Sequence, residues 1–174
     1  MLLADLVVLG STNDDDPDAP GRGFTERILV STGKPGLVLP TGLCSSLPRH
    51  RPATILLAWD GRPAASRALA SALPLIVQAN VLHTIEPCGP LQEQEVDRFD
   101  LRRYLAAHGV RPVRHHHRLD DDDAGDAILA LAADVGADLV VMGCYGHGRV
   151  RELLLGGATR SVLRKTRVPL WMTH

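Results

Sequence analysis

Residues 138–159 of the chain read Asp-Leu-Val-Val-Met-Gly-Cys-Tyr-Gly-His-Gly-Arg-Val-Arg-Glu-Leu-Leu-Leu-Gly-Gly-Ala-Thr. The apolar run from Leu139 to Met142 predicts a buried strand, because parallel strands that are covered on both faces show no polar alternation. Glycine ends this run abruptly, and a helical pattern begins near Ala158. A strand, a glycine loop and a helix start form an anion site, since unpaired loop N–H groups meet the positive end of the helix dipole. The segment therefore predicts phosphate binding.

The glycines of this segment follow the spacing Gly143-x2-Gly146-x9-Gly156. It is neither the Gly-Lys-Ser/Thr of a P-loop nor the G-x-G-x-x-G of a dinucleotide fold. It resembles the nucleotide loop of the universal stress protein family, in which G-x2-G-x9-G is followed by serine or threonine. Gly157 occupies that hydroxyl position here, so one hydroxyl contact to a phosphate is missing while backbone donors remain. The alternative is a glycine-rich turn that only reverses the chain.

Composition limits the class of protein. The chain has 174 residues, of which 45% are hydrophobic, enough for one ordinary domain and an appendage. Its formal net charge of −1 predicts no general attraction to nucleic acid or to an anionic membrane. The three cysteines lack paired metal spacing, and the sequence shows neither a signal-peptide pattern nor an apolar run of roughly 18 to 20 residues. We therefore expect a cytoplasmic protein with no membrane and no nucleic-acid partner.

Strands and helices alternate along residues 53–174 of the sequence. Predicted strands cover residues 54–59, 81–85, 110–118, 139–142 and 169–172, and predicted helices begin at Pro63, Gln92, Gly125 and about Ala158. Alternation of this kind predicts an α/β fold with a parallel sheet, right-handed crossovers and helices on both faces. In such a sheet, ligands bind beyond the carboxyl ends of the strands at the switch point. That point is predicted between the strands that end at Trp59 and Met142.

Two details of the predicted helices are open to a structural check. Pro74 is expected to kink or shorten the helix that begins at Pro63. The inner side of the helix over residues 92–108 is expected to consist of Val96, Phe99, Tyr104 and Leu105.

The resemblance to universal stress proteins extends over residues 52–174. It includes Leu57-Ala-Trp-Asp-Gly61, Val81-Leu-His-Thr-Ile85 and Val168-Pro-Leu-Trp-Met172. The resemblance implies a doubly wound parallel five-stranded sheet with the order 3-2-1-4-5.

Residues 1–40 repeat part of the same pattern. Ala4–Gly10 nearly repeats Ala137–Gly143, a helix is predicted over Phe24–Thr32, and a strand is predicted over Gly36–Leu39. By the resemblance, this strand-helix-strand (βαβ) unit is the last part of another repeat, as in tandem members of the family. We therefore expect a repeat remnant at residues 1–40, a linker at 41–52 and a complete domain at 53–174.

The resemblance also implies a site for ATP or a related adenine nucleotide, with Mg2+ beside it. Asp60 would hold the adenine and ribose edge beside Ala58, the backbone of Thr84 would meet the adenine, and Met142 would cover the base. The ribose and phosphates would be surrounded by Gly143, Tyr145, Gly146, Gly156, Gly157 and Ala158. Tyr145 stands where the family often has histidine. Taken singly, Asp60 is also an ordinary turn residue before Gly61, and Met142 an ordinary core residue.

Three functions follow from this reading. The first is a nucleotide-binding, regulatory stress-response module. The second is a ligand-free family member that acts through dimerisation and a protein partner. The third is a slow ATPase, although the sequence has no Walker lysine and no evident base. The resemblance implies a homodimer through the last strand, with residues 36–39 antiparallel to 170–172, within the chain or between chains.

His115-His116-His117 lies in a predicted edge strand, where His115 and His117 share one face and His116 lies on the other. Two histidines without a third ligand at fixed spacing are a weak metal motif, and a solvated or pH-sensitive edge is the alternative. Cys144, inside the glycine loop, is either an oxidation-sensitive thiol or a small buried filler. We predict no catalytic residue and no metal ligand.

Overall fold

The computed structural model describes residues 3–11, 23–40, 51–86, 100–117, 124–144 and 157–174. Its strands are β1 (Val7–Gly10), β2 (Gly36–Leu39), β3 (Thr54–Ala58), β4 (Val81–Glu86), β5 (Val113–His117), β6 (Leu139–Gly143) and β7 (Leu170–Thr173). Its helices are α1 (Phe24–Thr32), α2 (Pro63–Ile76), α3 (residues 100–107), α4 (Ala124–Asp134) and α5 (Gly157–Lys165). None of the helices in these ranges is both long enough and apolar enough to cross a membrane.

The strands form one mostly parallel sheet in the order β1-β2-β7-β6-β3-β4-β5. This arrangement confirms the predicted α/β class, but the sheet has seven strands where five were expected. The difference arises because β1 and β2 extend the sheet beyond β7. From β3 onward, the strands lie in the order β5-β4-β3-β6-β7, and β5 forms an edge of the sheet as predicted.

The strands β2 and β7 make the antiparallel pair of the sheet. Leu37 lies opposite Trp171, and Val38 lies opposite Leu170, within a single chain. On its other side, β7 pairs with β6. Both edges of β7 are therefore hydrogen-bonded within the chain. A homodimer of the predicted kind would need a free edge on β7, and the structure offers none there. The pairing that the sequence allowed within one chain or between chains is made within this one.

Two apolar clusters cover the two faces of the sheet. One contains Leu56 of β3 and side chains of α1, α4 and α5, and the other contains Ile55 and Leu57 of β3 with side chains of α2 and α3. Neighbouring residues of β3 point to opposite faces, and all three are fully buried, which explains the unbroken apolar sequence of this strand.

Two details of the predicted helices can be compared with the structure. Pro74 lies inside α2, which ends soon after it at Ile76, and the expected kink stays a prediction. The proline is exposed and lies in the last turn, so the single N–H that it lacks is lost at the solvent side near the helix end. Tyr104 is exposed, and Leu101 joins Leu105 on the buried side of α3, because residues four apart share a helix face. Val96, Phe99 and most of the predicted linker lie outside the described residues.

The helices α4 and α5 approach each other at Gly125. A Cβ atom on this residue would lie 2.7 Å from the carbonyl oxygen of Ala158 and 2.7 Å from Cβ of Ser161. Beside this contact, the Ser161 hydroxyl donates to Asp126 Oδ1 at 2.9 Å, and Lys165 Nζ donates to the same oxygen at 2.8 Å. The hydrogen bond from Lys165 lowers the pKa of Asp126, and the bond from Ser161 adds to that effect. These contacts fix α5, and hence its first turn, relative to α4.

We predict that Gly125→Val destabilises the protein by about 2 to 3 kcal/mol, because the added side chain must push α5 away. Urea unfolding measures the effect. Ala130→Val, at an exposed position of the same helix, is the matched control and should cost about 0.7 kcal/mol or less. Equal losses for the two variants would show that the close approach at Gly125 is not needed.

Candidate functional site

The candidate site lies where β3 and β6 end side by side. The two strands are parallel neighbours, with Ala58 opposite Met142 at their carboxyl ends. The helix that follows β3 packs on one face of the sheet, whereas the helices before and after β6 pack on the other. The chain therefore leaves this edge in opposite directions, which is the feature that makes a crevice in open parallel sheets.

Asp60 lies just beyond β3 and begins the turn into α2. Its Oδ1 accepts a hydrogen bond from the Arg62 backbone N–H at 3.0 Å, and its Oδ2 lies 4.0 Å from Arg62 Nε. Gly61 between them has φ +70°, a left-handed conformation that favours glycine. Asp60 thus acts as the turn residue that the sequence offered as the alternative to a ligand contact. With 41% of its side chain exposed, the carboxylate also remains open at this edge.

Thr84 lies one row behind this edge. It is opposite Leu57 on β3 and His115 on β5. Leu82 N donates to Pro112 O at 3.1 Å, and alternate residues of a parallel strand bond the same neighbour, so the Thr84 backbone also faces β5. Its hydroxyl lies 2.8 Å from His115 Nδ1. The backbone of Thr84 is thus occupied by its pairing with β5, whereas the carboxylate of Asp60 is open to a ligand.

Gly143 ends β6 beneath the first turn of α2. A Cβ atom here would lie 2.5 Å from the Ala65 nitrogen and 2.9 Å from Cβ of Ala64. The Thr173 hydroxyl of β7 donates to the Ala64 carbonyl at 3.0 Å, which holds the same turn in place. Packing alone therefore requires glycine at this position. Met142 is 4% exposed and belongs to the apolar cluster on the opposite face, so it is also a core residue.

Gly157 is the first residue of α5, and Ala158 follows it at a half-buried position. Their amides belong to the first turn, where backbone N–H groups have no partner within the helix. The remaining predicted ligand contacts, Tyr145, Gly146 and Gly156, lie outside the described residues. The described part of the site therefore brings together Ala58, Asp60, Met142 and Gly143, with Thr84 one row away.

Two buried polar groups near this edge were not predicted. The indole N–H of Trp59 is buried and has no hydrogen-bond partner among the residues that the structure describes. Glu86, at the end of β4, is 4% exposed, and its Oε1 lies 3.9 Å from His115 Nδ1. A carboxylate directly after a strand at the ligand-binding edge was the available signal.

The contacts of His115 bear on catalysis. Both the Thr84 hydroxyl and the Glu86 carboxylate approach the same ring nitrogen, Nδ1. A nucleophile relay needs the hydroxyl on one ring nitrogen and the carboxylate on the other. This group therefore does not form a hydrolase triad. Within the described ranges, no three His, Cys, Asp or Glu side chains are grouped so as to hold a metal ion.

Cys144 is fully buried directly after β6. Its N–H donates to the Thr173 carbonyl at 2.8 Å, and burial raises the pKa of its thiol to about 12. The thiolate is the reactive form of cysteine. Of the two predicted roles for Cys144, the structure thus favours the buried filler over the oxidation-sensitive thiol.

We predict that Cys144 resists iodoacetamide at pH 8 in the folded protein, because almost none of it is thiolate and none of it is exposed. Mass spectrometry of a Cys44→Ser, Cys88→Ser variant isolates this thiol. Alkylation should appear only after urea is added. Labelling of the folded protein as fast as that of the unfolded chain would contradict the burial.

Comparisons with known proteins agree with the observed fold. Residues 53–174 match the family model described as universal stress protein family. Over 95% of its length, the chain is 27% identical to the universal stress protein Slr1230 of Synechocystis. The chain spans only 56% of that relative.

Two solved structures share the fold. One is a universal stress protein from Archaeoglobus fulgidus, with a TM-score of 0.70, 22% identity, and coverage of 97% of this chain and 62% of that one. The other is a universal stress protein in complex with cAMP, with a TM-score of 0.59, 22% identity, and coverage of 72% of this chain and 98% of that one.

Proposed function

The chain belongs to the universal stress protein family, and from this membership we propose that it binds an adenine nucleotide, ATP or a relative of it, as a regulatory stress-response module. The observation that carries the proposal is the edge at which Ala58 and Met142 end side by side, with the exposed carboxylate of Asp60 beside them. The cAMP complex of the similar universal stress protein supports an adenine ligand.

In this proposal, Asp60 accepts a hydrogen bond from the ribose, and Ala58 and Met142 line the base. The phosphates lie against backbone N–H groups from Gly143, Tyr145 and Gly146 and from the start of α5 at Gly156, Gly157 and Ala158. The positive end of the α5 dipole favours their negative charge. Mg2+ enters with the phosphates, because its ligands are oxygens of nucleotide and water rather than a protein cage. The Thr84 backbone contacts the base only if it exchanges a bond to β5 for one to the ligand.

A second candidate is the ligand-free family member that acts on a protein partner. Gly157 in the hydroxyl position and the occupied backbone of Thr84 favour it. A slow ATPase has the least support, since the described residues show no nucleophile relay at the site. Phosphate release from ATP above the background rate would support the ATPase function instead.

For the rest of the chain, we propose a repeat remnant at residues 1–40, a linker at 41–52 and a complete universal stress protein domain at 53–174, in the cytoplasm. The remnant is supported by symmetry within the sheet. The unit β1-α1-β2 and the unit β6-α5-β7 are both parallel strand pairs, and they meet antiparallel through their last strands. A tandem arrangement of this kind joins two repeats as a dimer would. Any further dimerisation must use another surface than β7.

We predict that Mg-ATP at about a hundred times its Kd raises the stability of the protein by about 2.7 kcal/mol, which is about 5 to 10 °C in thermal midpoint for a chain of this length. Asp60→Ala and Gly146→Val should each lose most of this rise. Gly143 is unsuitable for the test, because any side chain there collides with α2 whether or not ligand is present.

Asp134→Ala is the matched control, since Asp134 is exposed and ends α4 near the amino-terminal end of β6, away from the proposed site. It should keep the full rise. A thermal midpoint that Mg-ATP leaves unchanged in nucleotide-free wild type would contradict the proposal and favour the ligand-free member. An equal rise in all variants would place the nucleotide elsewhere.

A further inference from the structure

His83 of β4 and His116 of β5 form a direct hydrogen bond across the edge of the sheet. The distance from His83 Nδ1 to His116 Nε2 is 2.9 Å. The ring planes differ by only 13°, and the ring centroids are 5.2 Å apart. One ring therefore donates its N–H into the lone pair of the other, and a single proton lies between them. Two nitrogens bound to one tetrahedral zinc ion at about 2.0 to 2.1 Å would be about 3.3 Å apart, so the 2.9 Å distance fits a shared proton rather than a metal.

The two rings differ in exposure. His83 is 6% exposed, whereas His116 is half-buried. If His116 carries an added proton, it donates from Nε2 to His83 Nδ1 and the bond is kept. A second proton must go to His83 Nδ1, the acceptor in that state. Two N–H groups would then face each other, and the hydrogen bond would be lost.

His115 lies on the opposite face of the β4–β5 pair, where its neighbours differ from those of His83 and His116. There, His115 Nδ1 lies 2.8 Å from the Thr84 hydroxyl and 3.9 Å from the buried carboxylate of Glu86. A protonated His115 would thus be attracted to Glu86, whereas a second proton on the His83–His116 pair opposes the bond between those two rings.

The charged groups near the pair add to this opposition. Arg114, on the same face of β5 as His116, acts on His83 as a nearby positive charge. The helix α4 packs on this face and carries Asp126 and Asp134. Asp126 is bonded to Ser161 and Lys165 of α5, and Asp134 is exposed. Among the described residues, the charges that act on His83 are those of His116 and Arg114, and both disfavour a further proton on its ring.

We propose that the His83–His116 hydrogen bond is an acid-sensitive clasp, which holds the edge strand β5 on β4 at neutral pH and opens in acid. The clasp is independent of the proposed nucleotide binding. When it opens, His115 and Glu86 keep β5 attached on the other face. Acid would therefore loosen β5 without detaching it.

The direction of the pH effect follows from His83. Burial, with the charges of His116 and Arg114, lowers the pKa of His83 from its usual 6.5. The unfolded chain therefore binds a proton near this usual value that the folded protein still excludes. Stability contributed by the neutral ring is present above pH 6.5 and is lost as the pH falls from there toward the lower folded pKa. The unfolding equilibrium constant should rise by up to about tenfold per pH unit in that window for each excluded proton.

The test is urea unfolding of the full chain between pH 5 and 7.5, with wild type, His83→Gln and His116→Gln. Glutamine keeps hydrogen-bonding groups but does not titrate. We expect both variants to lose much of the acid-dependent rise in the unfolding constant. His108→Gln is the matched control, because His108 is exposed on the end of α3, and it should keep the wild-type dependence.

A second measurement needs no variant. In wild type, ring 15N NMR should show His83 titrating below its usual pKa of 6.5. Hydrogen exchange of the β5 amides should speed up several-fold more than that of β6 between pH 7.5 and 5.5, after correction for intrinsic rates. The proposal is overturned if the pKa of His83 is at or above 6.5, or if His116→Gln has the wild-type pH dependence.

Discussion

The carboxyl edge of the sheet depends on how closely β6 can approach the first turn of α2. This approach is possible because Gly143 has no side chain, since a Cβ atom there would lie 2.5 Å from the Ala65 nitrogen. The Thr173 hydroxyl fastens the same turn from β7 through the carbonyl of Ala64. Because α2 is fixed at its start, the turn at Asp60 and Gly61 is fixed as well, and the Asp60 carboxylate stays at the end of β3. A packing constraint thus places the group that the proposed function needs.

Much of the fold could be predicted from sequence. Leu139–Met142 lies between Asp138 and Gly143, and Ile55–Trp59 is followed by Asp60. Both are unbroken apolar runs, and they give the buried central strands β6 and β3. The limits of α1 and β2 were predicted to the residue, because Gly23 and Gly33 flank α1 and because β2 begins at Gly36 and ends before Pro40. The antiparallel pairing of β2 with β7 was expected from the resemblance, but the sequence did not decide whether it forms within one chain or between chains, since that depends on contacts between residues far apart in sequence. The exposure of Tyr104 was missed for a related reason: helical spacing alone does not say which of two adjacent apolar stripes faces the sheet.

The candidate site could be predicted only in part. Sequence reasoning named Asp60 and Met142, and the structure puts both at one edge. It also explained Gly143 by ligand approach, whereas the structure supplies a packing reason that holds without ligand. Glu86 was missed because a single carboxylate after a strand has many ordinary explanations, and its partner His115 comes from a strand about thirty residues later. The histidine run likewise gained meaning only when β4 brought His83 to His116.

The central claim is that an adenine nucleotide binds where β3 and β6 end. The most direct test is amide NMR of the assigned protein, titrated with Mg-ATP. The account predicts that the largest shifts fall on the amides of residues 58–62 and 143–144 and on the start of α5, while those of β1 and β2 hardly move. Shifts that cluster on another surface, or no shifts at millimolar Mg-ATP, would contradict it.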